Sequence, residues 1–323
     1  MKRFPLISLA IPFGTAGLCS MWTAACADFG LPVWAPVPIW IIAAVAWVWA
    51  IVAHAVRGSK SPDSFASQLR NPVEGPTAGL IPVVGMLLGT ELYHFAPIPG
   101  IVLILVSIAV AALFLGWLIA LWMRAGIGLD SVHGGYLLPT GAAGFVAATG
   151  AATAGMTALA IACLAVGLLW WVIITAVLTG RLMSNPVLPA PLVPSLAVLL
   201  APPVVAGGAW FAIAGPVGDP IQLAFAGFTA VALLTQFALI PVYRKTPFTL
   251  GFWSFTFPLA ALGRYSITWL SLLHPAGWQA WSIVIGIVIS AAIVAIAVAS
   301  IRLFFRGRTA KPRQQAKAPQ TAG

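Results

Sequence analysis

Residues 248–272 read FTLGFWSFTFPLAALGRYSITWLSL, an apolar run of bilayer-spanning length with Pro258 near its middle. A proline inside a helix removes a backbone donor and clashes with the carbonyl one turn earlier, so the run is expected to bend there. Pro258 belongs to a series. Every second apolar run carries an interior proline: Pro12, Pro82, Pro139, the pair Pro202 and Pro203, and Pro258. The runs between them have none. Within a bilayer a helix break persists only where it faces protein or a water-filled cavity. The alternation therefore predicts an inner set of bent helices around a pathway, with straight helices outside, as in a pore or a carrier.

Composition agrees. Of the 323 residues, 61% are hydrophobic and only 7% charged, which fits a polytopic, all-α membrane protein and no soluble domain. Ten spanning segments can be placed, at about 4–25, 38–56, 77–95, 99–123, 135–155, 157–180, 192–214, 220–242, 248–272 and 276–304. The fifth is rich in glycine, alanine and threonine, which suits a crowded helix–helix contact. The proline spacing of about sixty residues amounts to a bent-plus-straight hairpin repeated five times. The start, Met-Lys-Arg followed by apolar residues, imitates a signal peptide but is taken as the first span, because its loss would leave an odd number.

The net charge of +10 is not a nucleic-acid signature, because its distribution follows membrane topology. With ten spans and both termini in the cytoplasm, Lys2, Arg3, Arg57, Lys60, Arg70, Arg124, Arg181, Arg244, Lys245 and the basic residues from Arg302 to Lys317 all lie inside. Asp28, Glu91 and Asp219 mark outer connections. Residues 1–305 thus read as one membrane domain, and 306–323 as a basic, disordered cytoplasmic tail that serves as a topology anchor or else touches anionic headgroups.

Catalytic constellations are missing from the sequence. His54, His94, His133 and His274 are too scattered for a metal pair, and Cys19, Cys26 and Cys163 show neither metal nor redox spacing. The acids stand at segment ends or in loops, with no paired carboxylates and no phosphate-binding glycine loop. No enzyme activity, cofactor or metal is expected. The scarcity of ionisable groups at membrane depth favours passive conduction over proton-coupled transport. Among the rings of Phe252-Trp253-Ser254-Phe255-Thr256-Phe257-Pro258, any one beside the bend could cross a narrow pathway, or simply pack against neighbours.

Five motifs in order resemble those of the tellurite-resistance/dicarboxylate transporter family, which includes the slow-type anion channels of plants. They are Ile11-Pro12-Phe13-Gly14 with Gly17-Leu18; Arg70-Asn71-Pro72-Val73 with Leu80-Ile81-Pro82; and Tyr136-Leu137-Leu138-Pro139-Thr140 with Gly144-Phe145-Val146. The others are Pro194-Ser195-Leu196 with Leu200-Ala201-Pro202-Pro203, and Trp253 to Pro258. The resemblance implies five helical hairpins in quasi-fivefold arrangement around a central pore, assembled as a homotrimer in the bacterial inner membrane. Pro12, Gly14, Pro82, Pro139, Gly144, Pro202, Pro203 and Pro258 would bend or line the pore. Phe257, just before the ninth-segment proline, would occlude it. One position departs: Asn71 stands where histidine is expected in relatives.

The implied function is conduction of small inorganic or organic anions, with secondary transport of tellurite, sulfite or C4-dicarboxylates as the alternative. Arg264 lies seven residues after Phe257, about two helical turns on and so on nearly the same face. It is a candidate for attracting anions, with snorkelling to headgroups or pairing with Glu91 as the competing roles.

Overall fold

The computed structural model describes residues 3–309, whose regular structure is all helical, with no strand among them. The helices are α1 (Ala10–Asp28), α2 (Val37–Ser59), α3 (Phe65–Leu69), α4 (Leu80–Tyr93), α5 (Pro97–Ala125) and α6 (Ala143–Thr153). There follow α7 (Thr157–Ser184), α8 (Ala201–Ala214), α9 (Pro220–Lys245), α10 (Thr256–Leu273) and α11 (Trp278–Thr309). The tail expected from Arg306 is helical as far as Thr309; its remainder lies outside the described residues, as do Met1 and Lys2.

Among the described residues, eight helical stretches are long and apolar enough to cross a membrane. The expected segments at 135–155 and 248–272 are helical too but are not among the eight. In α10 the polar Arg264, Ser266 and Thr268 lower the hydropathy, and α6 is short and built of small residues. Both are enclosed by other helices over much of their surface, so lipid does not demand an apolar exterior of them.

Burial separates two classes of helix. The hydrophobic stretches of Leu6–Asp28, Gly75–Tyr93 and Ala190–Ala214, which carry prolines of the series, are 61–83% buried, against 11–22% for the other five, of which α9 has Pro241 near its C-terminal end. The proline-bearing helices pack in a circuit: α1 on α4, α4 on α6, α6 on α8, α8 on α10, and α10 back on α1. Each also packs on the helix that follows it in the chain: α2, α5, α7, α9 or α11.

The prolines do not break α-helices midway. Each proline-bearing α-helix is preceded by a tighter or wider turn: 3-10 at Leu6–Leu9, Gly75–Gly79, Ala190–Leu200 and Leu250–Phe255, and 3-10 followed by π at Gly134–Leu137 and Leu138–Ala142. Pro12, Pro82, Pro202, Pro203 and Pro258 fall in the first turn of the α part, and Pro139 lies within the π turn. A first-turn N–H has no partner inside the helix, so a proline there costs no hydrogen bond. The helix type changes at that junction, and all six prolines are buried.

Candidate functional site

Phe257 is 4% exposed, and its ring stacks on that of Phe13, with centroids 3.8 Å apart and planes 16° from parallel. Such a contact between α1 and α10 requires a close approach, and glycines provide it. A Cβ on Gly17 would stand 2.8 Å from Cδ2 of Phe257, and one on Gly14 would collide with the Thr256 side chain. From the other side, Thr256 Oγ1 donates to the Trp253 carbonyl at 2.7 Å, and Trp253 Nε1 donates to Ser300 Oγ at 2.9 Å. The turn before Phe257 is thereby tied to α11.

Two cavities meet at this ring. The larger, about 220 Å³, takes Gly17 and Ser20 from α1, Thr90 from α4, Thr149 from α6, Gly208 from α8, and Phe257, Arg264 and Thr268 from α10. The smaller, about 20 Å³, has room for about one water. It is bounded by Ile7, Phe13, Leu80, Leu138, Val198, Trp253 and Pro258, and again by Phe257. Phe257 alone lines both.

The larger cavity carries the polar groups. Thr90, Thr149 and Thr268 donate their hydroxyl protons to the carbonyls of Met86, Phe145 and Arg264, one turn earlier in each helix. Their protons are therefore committed to the backbone, and the positive field in this wall comes from Arg264. Its guanidinium donates to Ser20 Oγ at 2.5 Å, across the α10–α1 contact. Glu91, buried in the last turn of α4, accepts from Thr23 Oγ1 at 2.8 Å, whereas Arg264 bonds to Ser20. Of the competing roles for Arg264, the geometry gives a cavity wall.

Not every expected site residue meets at these cavities. Pro258 bounds the smaller one. Gly144 lies against α7, where an added Cβ would stand 2.6 Å from Gly167 Cα, and Gly14 lies at the α1–α10 contact. Pro139 abuts Gly79, whose Cβ would come within 2.7 Å of it. Asn71 accepts from the backbone N–H of Val73 and Glu74 at 2.9 and 3.1 Å, shaping the turn that leads to α4. An imidazole reaches this turn from elsewhere: His133, buried, pairs through Nε2 with the Val73 carbonyl at 3.2 Å and accepts from Gly135 N–H at Nδ1. Phe13 and Ser20 were not singled out as site residues from sequence. The signal for Phe13 was its place beside Pro12, mirroring Phe257 beside Pro258.

A helical protein with apolar spans and a mostly apolar cavity between its helices that carries three threonines and a cationic wall belongs among membrane channels and transporters. Residues 3–301 match the SLAC1 family, described as voltage-dependent anion channels, and the chain belongs to that family. It is similar to the tellurite resistance protein TehA homolog of Haemophilus influenzae, 26% identical over 266 residues that make up 81% of each chain. It is also similar to the S-type anion channel SLAH2 of Arabidopsis thaliana, 31% identical over 106 residues, which are 32% of this chain and 20% of that protein.

Proposed function

We propose that this protein is an anion channel in which ten spanning helices form five hairpins, with the proline-bearing members in quasi-fivefold arrangement around one central pore. Phe257 occludes the pore, and Arg264 raises the anion concentration on one side of it. The observation that carries this reading is the position of Phe257, the one residue common to the two cavities and stacked on Phe13. The packing circuit of α1, α4, α6, α8 and α10 supports a ring of five.

Each bent helix is followed by one returning helix, so all five run in the same direction. Their N-termini then lie at the same end of the pore, where aligned peptide dipoles favour anions. Weak, spread attraction of this kind suits conduction, since a tight site would slow exit. The membrane is the bacterial inner membrane, with both termini cytoplasmic and residues 1–305 forming the channel unit ahead of the 306–323 tail. Three copies assemble as a homotrimer with one pore each.

The test is anion current from purified protein in planar bilayers. Phe257→Ala is expected to raise it well above wild type. An unchanged current, from protein shown to be inserted, would overturn the gate assignment. The tellurite-resistance name of the Haemophilus influenzae relative keeps a second reading in play: coupled export of tellurite, sulfite or a C4-dicarboxylate. Flux that saturates and follows a proton gradient supports the exporter, and flux that follows only the anion's electrochemical gradient supports the channel.

A further inference from the structure

A second large cavity, about 410 Å³, lies away from the proposed pore, between the N-terminal turn and α2. One end is polar and the other apolar. At the polar end stand Arg3 and His54; along the apolar floor run Leu6, Leu9, Ile51 and Ile81. Arg57 lies beside it, with its guanidinium 5.3 Å from the ring of Phe4, itself a wall residue. Arg3 spends Nε and Nη2 on the carbonyls of Asp63 and Gly58, which fixes its guanidinium at the rim.

His54 carries the sharpest signal. Its Nδ1 faces the Phe4 carbonyl at 3.2 Å, and a carbonyl can only accept, so the proton is on Nδ1. Nε2 is then buried with no hydrogen-bond partner. A buried polar atom without a partner is costly, and native structures rarely leave one so. The missing partner must be polar; Arg3 is the cation nearest His54, with Arg57 over Phe4 at the same rim and the Glu74 carboxylate on the other side. The rest of the cavity is lined by apolar side chains, and Val48, Val52 and Val56 of α2 are exposed.

We infer that this groove binds an anionic phospholipid, its phosphate among Arg3, Arg57 and His54 and its acyl chain along Leu9, Ile51 and Ile81. A soluble anion would leave the apolar floor uncovered, and a bare hydrocarbon would leave the charges unmet. Basic residues at a membrane surface attract anionic headgroups. Leu6 and Leu9 face this groove, whereas Ile7 and Phe13 of the same stretch face the smaller cavity at Phe257. The bound lipid therefore backs the segment that carries the stacking partner of Phe257.

Native mass spectrometry of the full chain in neutral detergent tests this, with phosphatidylglycerol, phosphatidylcholine and glycerol 3-phosphate as probes. Wild type is expected to retain phosphatidylglycerol in preference to phosphatidylcholine and to release glycerol 3-phosphate. The Arg3→Gln/Arg57→Gln double variant is expected to bind phosphatidylglycerol roughly thirtyfold more weakly, from about 1 kcal/mol for each basic residue near a membrane surface. Ala55→Trp, which fills the groove from an exposed position and keeps both charges, is expected to weaken both lipids. If the double variant does not fold, Ala55→Trp alone decides. Equal retention of the two lipids by wild type, or retention untouched by the folded variants, overturns the site. Glycerol 3-phosphate binding as tightly as the lipid overturns the lipid assignment in favour of a free phosphate.

Discussion

Phe13 and Phe257 lie 244 residues apart in sequence and meet as stacked rings 3.8 Å apart, one following the first proline of the series and the other preceding the last. Each ring stands beside a proline near the start of its helix, α1 or α10, and Gly14 and Gly17 remove the side chains that would hold the helices apart. The ring proposed to occlude the pore is thus half of an aromatic pair, and its position depends on α1 as much as on its own helix.

Removal of the partner alone is expected to loosen the constriction. An aromatic pair contributes about 0.5–1.5 kcal/mol beyond its buried area, so Phe13→Ala should shift closed toward open roughly 2- to 10-fold. Single-channel open probability measures this, and the rise should be smaller than that of Phe257→Ala. Equal effects of the two variants would place the whole barrier in the pair and none in the ring of Phe257 itself.

Gly17→Ala approaches the same contact from the opposite side. Its methyl would stand 2.8 Å from Phe257 Cδ2 and 3.3 Å from Ala260 Cβ, so the ring must leave its place. Current is expected to rise. In the Gly17→Ala/Phe257→Ala double variant the alanine has no ring to displace, and the current should match that of Phe257→Ala. Additive increases would show that Gly17 acts elsewhere.

The alternation of proline and burial was legible in sequence because it follows from a local rule applied five times: a helix that faces lipid cannot be broken freely. The common face of Phe257 and Arg264 on their helix was legible too, since seven residues is two helical turns, but the cavity that both line was not. The partners were not. Phe13 for Phe257 and Ser20 for Arg264 lie on α1, more than 240 residues away, and no periodicity within one helix reports on another. Helix type was equally hidden: hydropathy is blind to whether a turn is 3-10 or α, so the prolines read as mid-helix breaks and not as first-turn residues. Gly144 announced a close approach but not its direction, which is toward Gly167 of α7 and away from the cavities.

Gly144 therefore predicts a stability effect. An added side chain meets the Gly167 backbone at 2.6 Å, and backbone cannot swing aside. Gly144→Leu is expected to destabilise by roughly 1–3 kcal/mol, the usual range for overpacking. Gly180→Ala in α7, with nothing within 4 Å of the added Cβ, is the control and should gain about 1 kcal/mol from helix propensity. Thermal unfolding in detergent compares them.

His133 gives a pH dependence. Burial pushes its pKa down to about 4, with the backbone hydrogen bonds to Val73 and Pro72 opposing the shift. The unfolded chain takes up a proton near pH 6.5, and the folded one does not until about 4. Stability from this group is full above 6.5 and falls as pH drops through that window. His133→Gln should flatten the pH profile of Tm between the two values, and an unchanged slope would exclude His133 as its source.

Arg264 is expected to act on conductance and not on gating, because its guanidinium is held by Ser20 in the wall of the larger cavity. A unit charge contributes about 1 kcal/mol to an anion 4 Å away even in bulk water, so Arg264→Gln should cut single-channel anion conductance roughly fivefold at low salt. At 1 M salt the Debye length is about 3 Å, and the difference from wild type should largely vanish. Ser20→Ala keeps the charge but removes its anchor, and should lower conductance less than the loss of the charge itself. A conductance that ignores Arg264→Gln at low salt would mean that the attraction of anions comes from the helix dipoles alone.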